Sequence, residues 1–419
     1  MMTQAFYTGI SGLQAHQMAI DVLADNLANT STPGYRGYTG EFASLFEQSI
    51  ATAGSSPIDN TIGVGTRIDA TAMDLSQGSL LLSDQSTDIA IDGDGWFGVE
   101  GNADVFYTRA GNFTFDANND LVTAGDGFFV LGTRGKNIEN GVLTKTITEL
   151  PLGDVASQEK LRFPKTLSYP AEPTSEAKFF GNLGTGDTVT VISASAVDPQ
   201  NNKNQLKLTF TKSAAQNALG TRWDIKGVTQ SLDGNTVYDT RLGIVEFDER
   251  GAIASNTLKS INNNGANVSI DLGSDFTGIT AIDNVAASVS SSSNGTIGGD
   301  LVGYDINPNA EVIATFSNGM QSSVGKIALF HFQNDQGLMR ITGTRFQQSS
   351  NSGDAIFYKD VKGNNILGAN VTNFKTEGSN VRLDVGLTQL IVLQRSYDAN
   401  AKSITTADQM MQKALSMDA

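Results

Sequence analysis

Gly93, Gly95 and Gly98 stand at the spacing G-x-G-x-x-G, with which a glycine-rich turn opens a helix and offers its amides to a dinucleotide pyrophosphate. That chemistry needs a helix after the turn, whereas Trp96, Phe97 and Val99 continue as an extended apolar run. A tight hairpin is the reading these residues favour. Asp116, Asn118 and Asp120 open like an EF-hand calcium loop. Leu121 replaces the turn glycine, however, and Gly127 stands where the bidentate glutamate belongs, so the loop lacks its bend and its strongest ligand. The chain has two histidines, His16 and His331, and no cysteine. Both histidines sit among apolar positions, and without a cysteine there is no disulfide, thiol catalysis or cysteine zinc site. No nucleophile elbow and no cluster of His, Asp and Glu appears, although paired carboxylates for glycoside hydrolysis leave no spacing signature. The expectation is a protein with no catalytic residue, no metal ligand and no cofactor.

Composition narrows the partners. The 419 residues carry a formal charge of -16, which argues against nucleic acid, whose phosphates need clustered Lys and Arg. No apolar run is long enough to span a bilayer, so no membrane insertion is expected. No basic region followed by an apolar stretch marks a cleavable signal. The 44 glycines, with abundant Asn, Ser and Thr, fit many short strands and turns.

The elements that would position any site are clearest at the two ends. From Leu387 onward there is neither Gly nor Pro. Leu383, Leu390, Tyr397, Ile404 and Met411 recur every seven residues, with Leu393, Ala407 and Ala414 on a neighbouring line. That is the seam of a long amphipathic helix, roughly 50 Å in length. Phe6, Ile10, Leu13, Ile20, Ala24 and Leu27 give a similar seam at the N-terminus, ending at Thr32-Pro33-Gly34, where proline disfavours helix in the residue before it. Phe42, Leu45, Phe46 and Ile50 predict a further short helix, and 53–57 a linker.

Between the helices the period is two. Ile89/Ile91, Phe97/Val99, Val105/Tyr107 and Phe113/Phe115 alternate between Gly, Asp and Asn turns. Asp116–Asp120 reads as a hairpin loop, and the same device recurs at Phe247–Ile253. The prolines between Phe163 and Pro173 mark a semi-rigid crossing. The fold class expected is mainly β with α-helical termini: long terminal helices forming a coiled-coil layer, and two nested β domains inserted between them. The divisions are 1–50 with 380–419 for the helical layer, 51–168 with 300–379 for an inner β domain, and 169–299 for an outer inserted β domain.

Two terminal stretches then resemble a known family. Ser11-Gly12-Leu13-Gln14-Ala15, followed by Asn26-Leu27-Ala28-Asn29 and Thr32-Pro33-Gly34-Tyr35-Arg36, is similar to the N-terminal signature of bacterial flagellar axial proteins of the rod and hook. Gln394-Arg395-Ser396-Tyr397-Asp398-Ala399-Asn400-Ala401-Lys402 resembles the family's C-terminal box. Asp88–Phe97, Tyr107–Phe113 and the stretch 314–329 resemble its hook members. Val385-Gly386-Leu387 departs from the usual acidic-Leu pair, and Gly386 predicts a late start or a hinge in the last helix.

The resemblance implies a homopolymer subunit exported unfolded through the flagellar type III apparatus to the extracellular flagellum. It further implies rod, hook-cap and hook-filament junction proteins as partners. Its function would be that of a hook subunit, forming a flexible tube that joins rod to filament and transmits torque. The rival readings are a distal rod subunit and, from another class, a glycan-binding or enzymatic module in 169–299.

Overall fold

The computed structural model describes residues 2–45, 47–49, 61–63, 65–101, 104–184, 186, 188–216 and 220–417. The chain is mainly β, with one α-helix at each end: α1, Met2–Ala28, and α2, Leu383–Met417. Gly9 lies against Ile404, Gly12 against Asn400 and Gly386 against Leu27, so the helices run antiparallel. Past the end of α1, Asn29 Nδ2 donates to the Asp25 carbonyl (2.8 Å) and Thr30 Oγ1 to that of Leu27 (3.0 Å). The Leu27 carbonyl is one that the helix leaves open, whereas the Asp25 carbonyl also accepts the Asn29 amide at 3.2 Å. The expected hinge at Gly386 is corrected: α2 runs unbroken from Leu383, and the Gly386 amide bonds the Arg382 carbonyl at 2.9 Å. A Cβ at Gly386 would stand 2.8 Å from Leu27 Cδ2, so the glycine is where α1 and α2 approach each other.

The short helix expected around Phe42 is also corrected. Tyr38–Ser44 is a strand, paired antiparallel with Thr66–Met73. Apolar residues at 42 and 45 fit a helical spacing, but the cross-strand partner and the flank of α1 decide the conformation instead. Phe46, Ile50 and the expected linker at 53–57 lie outside the described residues.

Beyond this ribbon, strands from 96–169 and 299–347 form the largest described sheet, fifteen strands. Its apolar side carries alternate residues such as Phe97, Val99, Phe113, Val312 and Ile327, and Ile89 and Ile91 of a separate two-stranded pair with 370–373 pack into the same core, all buried. Residues 176–293 build two further five-stranded sheets, which share a core around Phe179, Leu206, Leu208, Phe210, Trp223 and Ile225. The chain passes out and back at the bridge of Glu172 with Thr296, whose two hydrogen bonds are 2.8 and 2.9 Å, and Asn201 Oδ1 accepts the Gly298 amide beside it (2.7 Å).

One turn accounts for the calcium-like spacing. Oδ1 of Asp116 accepts the amides of Asn118 (2.7 Å) and Asp120 (2.8 Å), so the carboxylate is occupied by its own backbone. Asp198, Asp248, Asn307 and Asp360 do the same with the amides two and four positions on. In all five turns the residue at the fourth place, Asn119, Asn201, Gly251, Ala310 or Gly363, takes a left-handed backbone. Sequence reading found two of the five. Gly93, Gly95 and Gly98 fall in and after the turn joining Ile89–Asp92 to Trp96–Gly101, but the hairpin expected there is corrected: Ile89–Asp92 pairs with Asn370–Asn373 and Trp96–Gly101 with Asp104–Thr108, not with each other.

Candidate assembly interface

The contact between α1 and α2 is lined by small residues. Gly9, Gly12, Ala15 and Ala19 are buried, followed by Leu23 and Asn26. Spaced by three or four, they share one face of α1 and let the helices come close. Phe6, Leu13, Ile20 and Leu27 flank this line half-buried, as do Leu390, Leu393, Tyr397, Ile404 and Met411 on α2. Ile10 and Leu383 point outward, 44% and 54% exposed. A periodicity argument weighs large apolar residues and passes over glycine, so it marked the rims of the contact and missed its floor.

The signature after α1 builds a buried polar joint between the helices and the β body. Asn26 Nδ2 donates to the Tyr38 carbonyl (2.6 Å), and its Oδ1 accepts the Tyr38 amide (2.9 Å). On the cross-strand partner Met73, Gln336 repeats the arrangement, donating to the carbonyl at 2.6 Å and accepting the amide at 2.9 Å. One residue pair of the ribbon is thus clamped by an amide from the helix and an amide from the β body. Gly34, at φ +68°, is a close approach: a Cβ there would lie 2.3 Å from the Ala110 amide nitrogen. Only glycine fits that left-handed position against a backbone.

Arg36, Arg109 and Glu377 occupy the centre of the joint. The Arg36 guanidinium reaches Glu377 Oε1 at 2.9 Å and Arg109 Nε stands 3.3 Å from Oε2, with all three side chains at most 4% exposed. The Arg109 contact is off the hydrogen-bonding line and acts through charge. Its other nitrogens donate to the carbonyls of Gly95 (2.8 Å) and Gly93 (2.7 Å), which gives the glycine motif its role here. Oε1 of Glu377 also accepts the Gly78 amide (2.9 Å), and the Glu377 carbonyl accepts that of Gly34 (2.7 Å). Burial pulls the Arg109 guanidinium down to about 10, against the opposing pull of Glu377. Asn380 closes the joint by accepting the Gly37 amide (2.8 Å) and donating to the carbonyls of Asp74 (2.8 Å) and Ser76 (3.0 Å).

At the edge, the Tyr35 hydroxyl donates to Asp25 (3.1 Å), and Arg340 bonds the same carboxylate at 2.9 Å while lying over the Tyr35 ring. Burial pushes the Tyr35 hydroxyl up to about 12.

Of the signature residues, Gly12, Asn26, Gly34 and Tyr35 are buried at the seam or joint, while Ser11, Asn29 and Asn400 are half-buried. Ser11 Oγ accepts the Thr66 amide at 3.3 Å and Asn400 faces Gly12. Ala28, Gln394 and Arg395 are exposed. Gln336, Glu377 and Asn380 carry the joint but were not singled out from the sequence, and Arg109 entered only as one position of the Tyr107–Phe113 resemblance. Their partners lie far away in the chain, and no local pattern marks them.

Three family models match this chain, and each matched stretch supplies one charge to the centre of the joint. The model described as "Flagella basal body rod protein" matches 6–36, ending on Arg36. "Flagellar hook protein FlgE/F/G D1 domain" matches 90–155, which holds Arg109. "Flagellar basal body rod FlgEFG protein C-terminal" matches 375–417, which holds Glu377. The class is that of the rod and hook components of the bacterial flagellum. The flagellar hook protein FlgE of Escherichia coli K12 is 30% identical over 97% of this chain and 98% of its own length. Its counterpart in Borreliella burgdorferi is 28% identical over 98% of this chain and 99% of its own. This chain belongs to the flagellar hook protein family. A solved structure of a Helicobacter pylori flagellar hook protein shares the fold, with a TM-score of 0.53 at 16% identity over 70% of this chain and 99% of that one.

Proposed function

We propose that the chain is a structural subunit of the bacterial flagellar hook, located in the flagellum outside the cell body and working by self-assembly, with no catalysis. The observation that carries this is the full-length similarity to hook proteins, which runs through the 169–299 region and favours the hook over a distal rod subunit. The structure supports a polymerising role through its terminal helices. Their outward faces keep Tyr7, Met18, Ile391 and Val392 at 69%, 56%, 58% and 58% exposure, a surface that neighbouring copies would cover.

In this reading α1 and α2 form a coiled-coil layer (1–50 with 380–419). The inner β domain (51–168 with 300–379) and the outer domain (169–299) nest outside it. The joint fixes the helical layer to the inner domain, and the crossing at Glu172 and Thr296 leaves the outer domain free to shift between neighbours as the tube bends. Rod, hook-cap and junction proteins would meet the tube's ends, and the flagellar type III apparatus would deliver the chain. The test is electron microscopy of the purified protein at rising concentration. Curved tubes are expected; straight tubes would favour a rod subunit, and an unpolymerised chain at every concentration would refute the reading.

A further inference from the structure

The outward faces of α1 and α2 differ in charge. α1 contains Asp21 and Asp25 and neither Lys nor Arg. Asp25 is bound by Arg340, whereas Asp21 is exposed and has no ion pair among the described residues. On α2, Arg395 and Lys402 are seven residues apart, so they share a face, and both are exposed without an ion pair among the described residues. Asp398 lies between them, turned aside by roughly 50° around the helix, which leaves the stretch cationic by one charge. Apolar residues accompany both faces: Tyr7, Ile10 and Met18 lead towards Asp21, and Leu387 and Ile391 lead towards Arg395, all between 44% and 69% exposed.

We infer that α1 of one copy seats its outward face on the outward face of α2 in a neighbouring copy, with Asp21 against the Arg395–Lys402 stretch. The occupant is a second copy because the two faces complement each other in charge while each repels its own kind. Contact between two different faces is heterologous, so it propagates along an assembly instead of closing a dimer. The levels also fit a staggered neighbour. From the Gly12–Asn400 contact, Asp21 lies about 13.5 Å towards the β body, Arg395 about 7.5 Å the same way, and Lys402 about 3 Å the other way. An axial displacement of roughly 6 to 17 Å between copies therefore brings Asp21 level with one cation or the other.

This contact rests on the hook-subunit reading and adds to it. The test is a charge swap on the full chain: Asp21→Lys, Arg395→Glu with Lys402→Glu, and all three together. The concentration needed for tubes is read by sedimentation and microscopy. Each one-sided reversal is expected to raise it roughly fivefold or more, and the combined variant to return to within about twofold of the wild type. Circular dichroism checks that the helices persist. A variant that loses them is replaced by Asp21→Asn or Lys402→Gln, which remove charge without reversing it and are expected to shift assembly in the same direction. Assembly indifferent to one-sided changes, or a combined variant no better than its parents, overturns the contact alone. A wild-type chain that forms no tubes overturns the subunit reading and the contact with it.

Discussion

Replacing Glu377 by Gln isolates what the buried joint contributes. The substitution keeps the shape of the side chain and an oxygen for the Gly78 amide, but it removes the one negative charge between Arg36 and Arg109. Removing one partner of a buried ion pair costs about 3–5 kcal/mol, because the remaining charge stays desolvated without compensation. Here two cations are left, but each keeps carbonyl partners: Gly93 and Gly95 for Arg109, and Ser76 for Arg36. Those bonds retain part of the stabilisation, which places the expected loss near the lower end, about 3 kcal/mol.

The assay is denaturant unfolding followed by Trp96 fluorescence in a Trp223→Phe background. Trp96 is 3% exposed and lies 5.9 Å from the Arg109 guanidinium, so it reports on the joint. The control is Glu159→Gln, at an exposed pair with Arg134, expected to change stability by less than about 0.5 kcal/mol. A loss below about 1 kcal/mol for Glu377→Gln, or one matched by the control, would refute the claim that the joint depends on this charge.

Gly34→Ala combines a left-handed φ of +68° with a clash against the Ala110 backbone. It is expected to lower stability by at least about 2 kcal/mol, and by more than Gly9→Ala, which meets Ile404 Cγ1 at 2.6 Å but no clashing backbone; melting curves of the two would separate these cases. Tyr35 and Tyr107 hydroxyls are both pushed up to about 12 by burial, while the unfolded chain ionises near 10. Their contribution is therefore complete below about pH 10 and lost as pH rises towards 12; Tyr35→Phe is expected to flatten that alkaline decline in a stability–pH series. Excising 173–295 and rejoining the chain between the bridged residues Glu172 and Thr296 is expected to leave the fifteen-stranded body with a cooperative thermal transition. A missing transition would show that the body depends on the excised sheets.

Much of the architecture was legible because it is local. Heptads at 383–411, alternation at 89–115 and the hairpin loop at Asp116–Asp120 all declare themselves within a few residues, and so did the failure of the dinucleotide and calcium patterns. The misreading at Phe42 came from a stretch too short to fix its own period, where a partner at Ile68 and the flank of α1 impose a strand. The hinge assigned to Gly386 weighed propensity alone, whereas its setting against Leu27 explains the glycine. The joint was not legible, since nothing near Glu377 says that Arg36 and Arg109 will enclose it.

The joint also makes the fold depend on both ends of the chain at once. The Gly37 amide finds Asn380 across 343 positions, and the Gly78 amide finds Glu377 across 299. Until the two ends meet, Arg36 and Arg109 on one side and Glu377 on the other stay unmatched, because closing so long a loop costs entropy that only the finished contact repays. A chain cut before Glu377 would keep the fifteen-stranded body, but it would have no seam for α1 and no Glu377. The residues that orient the helices thus also tie the joint at the end of α1 to the presence of α2.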